Sequence, residues 1–144
     1  MKRRLEVKRI LTVVRVSLLA AAVMPLVAQE GRPFNQIMKE VGGSVGEVKK
    51  AFEGQGNKDA VASGAEKLER LFKEVEVFFA NRGGAADAVE FAKVSQSAAK
   101  ELLGEATSGT KQGAQAAFAK VSGSCQGCHD AHREKLPEGG YKIK

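Results

Sequence analysis

Residues 34–53 read FNQIMKEVGGSVGEVKKAFE. Within them Phe34, Ile37, Met38, Val41, Val45, Val48 and Phe52 recur at steps of three and four, which lays one apolar stripe along a helix. Pro33 stands where a helix can begin, and Gly54-Gln55-Gly56 breaks the pattern. Outward from this segment the same period returns three times. Val61, Leu68, Leu71, Phe72, Val75, Phe78 and Phe79 stripe a second helix, opened by Asn57 as N-cap and closed at Asn81-Arg82-Gly83-Gly84. A third runs from Ala85 to Leu103 with Phe91, Val94, Ala98 and Leu102 inward, and Gly104 and Gly109 bracket the turn that follows. A fourth runs from Thr110 to Leu136 with Ala114, Ala117, Phe118 and Val121 inward, until Pro137-Glu138-Gly139-Gly140 stops it. The tail Tyr141–Lys144 is expected to be loose. No strand alternation and no repeat is present. Four amphipathic helices with short connections predict an all-α fold, an antiparallel up-down-up-down four-helix bundle. The stripes are rich in Ala and poor in large apolar residues, so a bundle built from them has room for a further group at its centre.

The segment before residue 29 has a different character. Lys2, Arg3, Arg4, Lys8 and Arg9 precede an apolar run from Val16 to Ala28, after which the chain turns polar at Gln29-Glu30. This order is that of a secretory signal peptide, with cleavage expected after Ala28 and residues 29–144 forming the mature domain. The run is short of the roughly 20 apolar residues of a membrane span, and an uncleaved N-terminal anchor is the rival reading. Removing the leader also removes the basic balance. Residues 1–28 hold six of the 23 bases and one of the 17 acids, which leaves 17 against 16. A nearly neutral domain without a clustered basic face excludes a nucleic-acid reading. The 144 residues, 43% hydrophobic and 28% charged, make a single globular domain rather than a disordered chain.

The chemistry is concentrated in Cys125-Gln126-Gly127-Cys128-His129, which contains both cysteines of the chain. C-x-x-C-H is the attachment signature of c-type haem. Each thiol adds across one vinyl group, and two cysteines three apart on a helix reach the two vinyls of one porphyrin edge. His129, the next residue, then lies under the iron and ligates it through an imidazole nitrogen. Export agrees with this, because in bacteria the attachment occurs outside the cytoplasm. Two other chemistries compete. A disulfide or thioredoxin-like redox pair needs a βαβ context, which is missing. Zinc held by Cys125, Cys128, His129 and His132 would draw all four ligands from two turns of one helix, poor geometry for a closed tetrahedron. No Ser/His/Asp set, phosphate loop or carboxylate pair with a defined site is present, and an enzyme is not expected.

A helical bundle whose last helix carries Cys125-Gln126-Gly127-Cys128-His129-Asp130-Ala131-His132-Arg133 near the C-terminus resembles the class II cytochromes c, the cytochrome c′ and cytochrome c-556 family. The resemblance covers the mature chain in layout and rests in detail on the last and first helices. It implies one covalently attached haem c, thioether positions at Cys125 and Cys128, and His129 as proximal ligand. Arg133 matches a basic position four residues after the His, on the same helical face, where it would influence haem electrostatics. The resemblance also implies a periplasmic protein with no stable membrane span after processing, redox partner proteins, and pairing into homodimers through the first two helices. The family divides over the sixth iron position. In the c-556 branch a Met from the first helix fills it; in cytochrome c′ an apolar residue leaves it open to nitric oxide or carbon monoxide. Met38 is the only methionine beyond the leader, and Met38-Lys39-Glu40-Val41-Gly42 resembles the c-556 ligand segment. The reading adopted is a one-electron carrier with iron between His129 and Met38. The alternative is a five-coordinate gas-binding protein with Ile37 or Val41 facing the iron. His132 stands where family members carry an aromatic residue and is expected at the surface, and the Trp often found between the second and third helices is absent.

Overall fold

The computed structural model describes residues 32–54 and 57–144; the leader reading of residues 1–28 lies outside them. Four helices follow in order: α1 Phe34–Glu53, α2 Lys58–Arg82, α3 Ala86–Ser108 and α4 Lys111–His132. A two-stranded ribbon closes the chain, β1 Arg133–Lys135 and β2 Tyr141–Ile143. Consecutive helices pack antiparallel, α1 on α2, α2 on α3 and α3 on α4. The expected four-helix bundle is therefore the fold. Among the described residues no helix is long and apolar enough to cross a membrane.

The starts and stops follow local chemistry. Asn57 caps α2, its side chain accepting from Ala60 N at 3.1 Å. Thr110 caps α4, its Oγ1 accepting from Gly113 N at 2.9 Å, and the Glu105 carboxylate accepts from Thr110 N at 3.0 Å. Thr110→Ala removes the cap and is expected to cost about 1 kcal/mol, read as a lower denaturation midpoint with unchanged slope. α3 runs five residues past its expected end. Gly104 is tolerated inside it, and Gly109 supplies the C-cap.

The core is made of the expected stripes on α1, α2 and α4, with Val48, Leu68 and Val121 fully buried. On α3 the stripe is different. Val94 is 53% exposed, and the buried face is Ala88, Ala92, Ser95, Ala98, Ala99, Leu102 and Ala106. Small side chains let α2 and α4 approach α3 from both sides. α1 and α4 meet at one end, where the Phe52 and Phe118 rings lie 5.6 Å apart. Toward the other end a cavity opens between them.

The C-terminus departs from the sequence reading. α4 stops at His132, four residues early, and the tail is paired rather than loose. The register is Arg133 opposite Ile143, Glu134 opposite Lys142 and Lys135 opposite Tyr141. Gly139 and Gly140 take φ of 96° and 80°, a region that favours glycine, and so make the reversal at Pro137–Gly140 possible. Lys144 N donates to His132 O at 2.9 Å and Lys144 Nζ to Asp130 O at 2.9 Å, which ties the tail back onto the end of α4.

Candidate functional site

The cavity has a volume of about 670 Å³, within the roughly 300–1,000 Å³ of sites that hold small molecules and cofactors. Every helix contributes a wall. α1 gives Met38, Val41, Gly42 and Val45; α2 gives Phe72, Val75 and Phe79; α3 gives Phe91, Ala92 and Ser95. α4 gives Ser124, Cys125, Cys128, His129 and His132, and the ribbon adds Arg133, Tyr141, Lys142 and Ile143. Cys125, Cys128, His129, Met38 and Arg133 therefore all border one space, although Met38 and His129 are 91 positions apart in the chain.

The helical spacing of α4 sets Cys125, Cys128 and His129 on one face, and all three are half-buried. Both cysteines are free. Burial pushes both thiols above their usual pKa, Cys128 further through the nearby Cys125 and Asp87. They are thus kept as neutral thiols. Burial, aided by the Arg133 charge, holds the His129 imidazole below its usual value. Neutral imidazole is the form that ligates a metal. Among the described residues no group of three or more His, Cys, Asp or Glu side chains is arranged to hold a metal ion. A flat, largely apolar group tethered at one edge by two thiols and ligated from below by one imidazole fits this lining.

Gly127, between the two cysteines, is in close contact with α3. A Cβ there would meet the Phe91 ring at 2.7 Å. The middle of the motif is thus pressed against a cavity-lining aromatic, and only glycine fits without moving it. Gly42 is the opposite case. It lines the cavity from α1, and a Cβ on it would meet no protein atom within 4 Å. The space in front of Gly42 belongs to whatever fills the cavity.

The sequence profile of the cytochrome c′ family matches residues 34–133. The chain belongs to that family. The match spans the four helices and ends at the first residue of the ribbon. Among solved structures, cytochrome c′ from Thermochromatium tepidum is similar over 67% of this chain and 87% of that one, at 19% identity with a TM-score of 0.58. At that identity the likeness speaks for the bundle fold. No curated protein matches the sequence. As a cytochrome c′ family member the protein carries haem c, covalently attached. The expectation drawn from the C-x-x-C-H motif holds at that level.

Several residues of the site escaped the sequence reading. His132 is not a surface residue; its side chain is 17% exposed, its ring lies 5.7 Å from that of Phe79, and Nε2 lies 2.9 Å from Asp87 Oδ2. It thereby joins the end of α4 to the start of α3. Ser95 Oγ and Ser124 Oγ lie 2.7 Å apart on the cavity wall, a pairing 29 residues apart that no local pattern signals. Arg133 does not continue the His129 face of α4. Its φ of −115° and ψ of 129° place it in the ribbon, where its guanidinium stacks 4.0 Å above the Tyr141 ring.

Proposed function

We propose that this cytochrome c′ family member is an exported one-electron carrier whose haem iron is held between His129 and Met38. Met38 supports this reading directly: it lines the same cavity as His129, from the opposing helix, and is the only thioether in residues 29–144. A haem bound here supplies one-electron chemistry at its iron. His129 offers a neutral imidazole, and Met38 a soft sulfur whose unbranched side chain adapts to the gap. The apolar walls exclude water, and a His/Met pair raises the reduction potential relative to His alone. Two fixed ligands keep one geometry in both oxidation states, which suits exchange with redox partner proteins. The leader at residues 1–28 agrees with a periplasmic place for that exchange.

A second reading has its own support. Members of this family are typically five-coordinate, and Val41 also lines the cavity from α1, whereas Ile37 is buried in the core away from it. With Val41 rather than Met38 above the iron, the pocket would admit nitric oxide or carbon monoxide. Absorption spectra of the haem-loaded protein with and without carbon monoxide separate the two. The carrier predicts a sharp low-spin ferrous spectrum indifferent to carbon monoxide, turned high-spin and carbon monoxide-binding by Met38→Ala. A wild-type spectrum that shifts at once with carbon monoxide, and is unaltered by Met38→Ala, would select the open site.

A further inference from the structure

None of the residues lining the cavity is Asp or Glu, and its two fixed cations, Arg133 and Lys142, both come from the ribbon. Haem brings two carboxylates, the propionates on the edge opposite its vinyl groups. A carboxylate in an apolar site needs a charged or hydrogen-bonding partner. The polar residues around the cavity divide clearly. Ser95 and Ser124 have two hydroxyl protons for three short contacts, with Phe91 O, with Val121 O and with each other, so neither has a proton left to donate. His132 Nε2 faces Asp87. Lys142 lies on the same ribbon face as Glu134, with its Nζ 3.4 Å from the Glu134 carboxylate. Asn35 offers only a neutral amide. Arg133 has no carboxylate partner among the described residues, and Tyr141 holds it in place.

We propose that Arg133, oriented by the face of Tyr141, is the carboxylate anchor for the haem of this chain. The proposal rests on the haem reading above and adds the group that positions the far edge. The ribbon provides the geometry. Arg133 and Lys135 share one face of β1, and their partners Ile143 and Tyr141 share it on β2, so Arg133 and Tyr141 are diagonal neighbours. Ile143 packs against the core from the same face, which fixes the ribbon against the cavity. A guanidinium stacked on a ring keeps its in-plane N–H groups free, and these match a carboxylate in a two-point contact. Tyr141 lies outside the residues matched by the family profile, so that match does not supply the orienting half of the device.

The test is the midpoint potential of the haem-loaded full chain from mildly acidic to mildly alkaline pH, for wild type, Arg133→Gln, Arg133→Lys, Tyr141→Phe and Tyr141→Leu. An anchored propionate stays ionised and paired, so it adds no slope to the wild-type profile. In Arg133→Gln the uncompensated negative charge favours ferric iron and shifts the potential down. As pH falls the propionate takes a proton, the charge disappears and the potential climbs, giving a sloping limb that wild type lacks. Arg133→Lys recovers part of the shift. Tyr141→Phe keeps the ring face and behaves as wild type. Tyr141→Leu leaves Arg133 in place but unoriented, and moves in the direction of Arg133→Gln. Profiles of Arg133→Gln and Tyr141→Leu that superimpose on wild type would overturn the anchor. Covalent haem staining is expected in every variant, so an unchanged potential with haem present counts against Arg133 alone, whereas an unstained wild type would remove the haem reading itself.

Discussion

A protein with Cys125→Ala and Cys128→Ala together is expected to lose all covalently bound haem. After full denaturation it should show no haem stain on a gel and the mass of the bare polypeptide. Either single variant keeps one linkage and stays stained, with a shifted ferrous band. The expectation follows from position. Both thiols border the cavity, lie one turn apart on one face of α4 and are the only cysteines in the chain. His129 remains in the double variant, so any haem that enters is held by coordination alone and leaves when the helix unfolds. The variant should also lose stability, because the walls on α1 and α4 then have no tethered partner across the gap. Haem surviving denaturation in the double variant would mean that the attachment lies elsewhere.

The legible and illegible parts of this chain divide along physical lines. Asn57 and Gly83 marked helix ends because capping is local chemistry, decided within a turn. C-x-x-C-H marked the cofactor for a similar reason, since the spacing that serves the porphyrin edge is written in five residues. The end of α4 was not legible. Nothing in Arg133-Glu134-Lys135 opposes a helix, and helix propensity alone carries the segment on to Pro137. The helix stops because β2 returns to pair with these residues, and Ile143 has a place on the core. That is a tertiary cause, and it also displaced Arg133 from the His129 face. His132 was misread for the same reason. Its partner Asp87 is 45 positions away at the start of α3, and the contact exists only because the bundle brings those two ends together.

On α3, Leu102→Ala and Val94→Ala should behave in opposite ways although both shorten an apolar side chain on one helix. Leu102 is fully buried, so its truncation is expected to cost about 2–5 kcal/mol. The high part of that range applies, because its surroundings on α3 are Ala98, Ala99 and Ala106, whose side chains are too short to close the gap. For a domain whose whole stability is of the order of 5–15 kcal/mol, such a change is severe, and chemical denaturation of the haem-loaded protein would show it as a large fall in midpoint. Val94 is 53% exposed, and its replacement should stay within about 0.5 kcal/mol of wild type. Alanine is also the better helix former, since it lacks the branched Cβ that restricts valine. Periodicity with the largest apolar residues set inward favours Phe91, Val94, Ala98 and Leu102, and would make both changes costly. The helix instead turns its alanine face to both neighbours, because a helix flanked on two sides is limited by how closely its backbone can be approached, not by how much oil it carries. Equal losses at the two positions would restore the stripe centred on Val94 and put the packing of α3 between α2 and α4 in error.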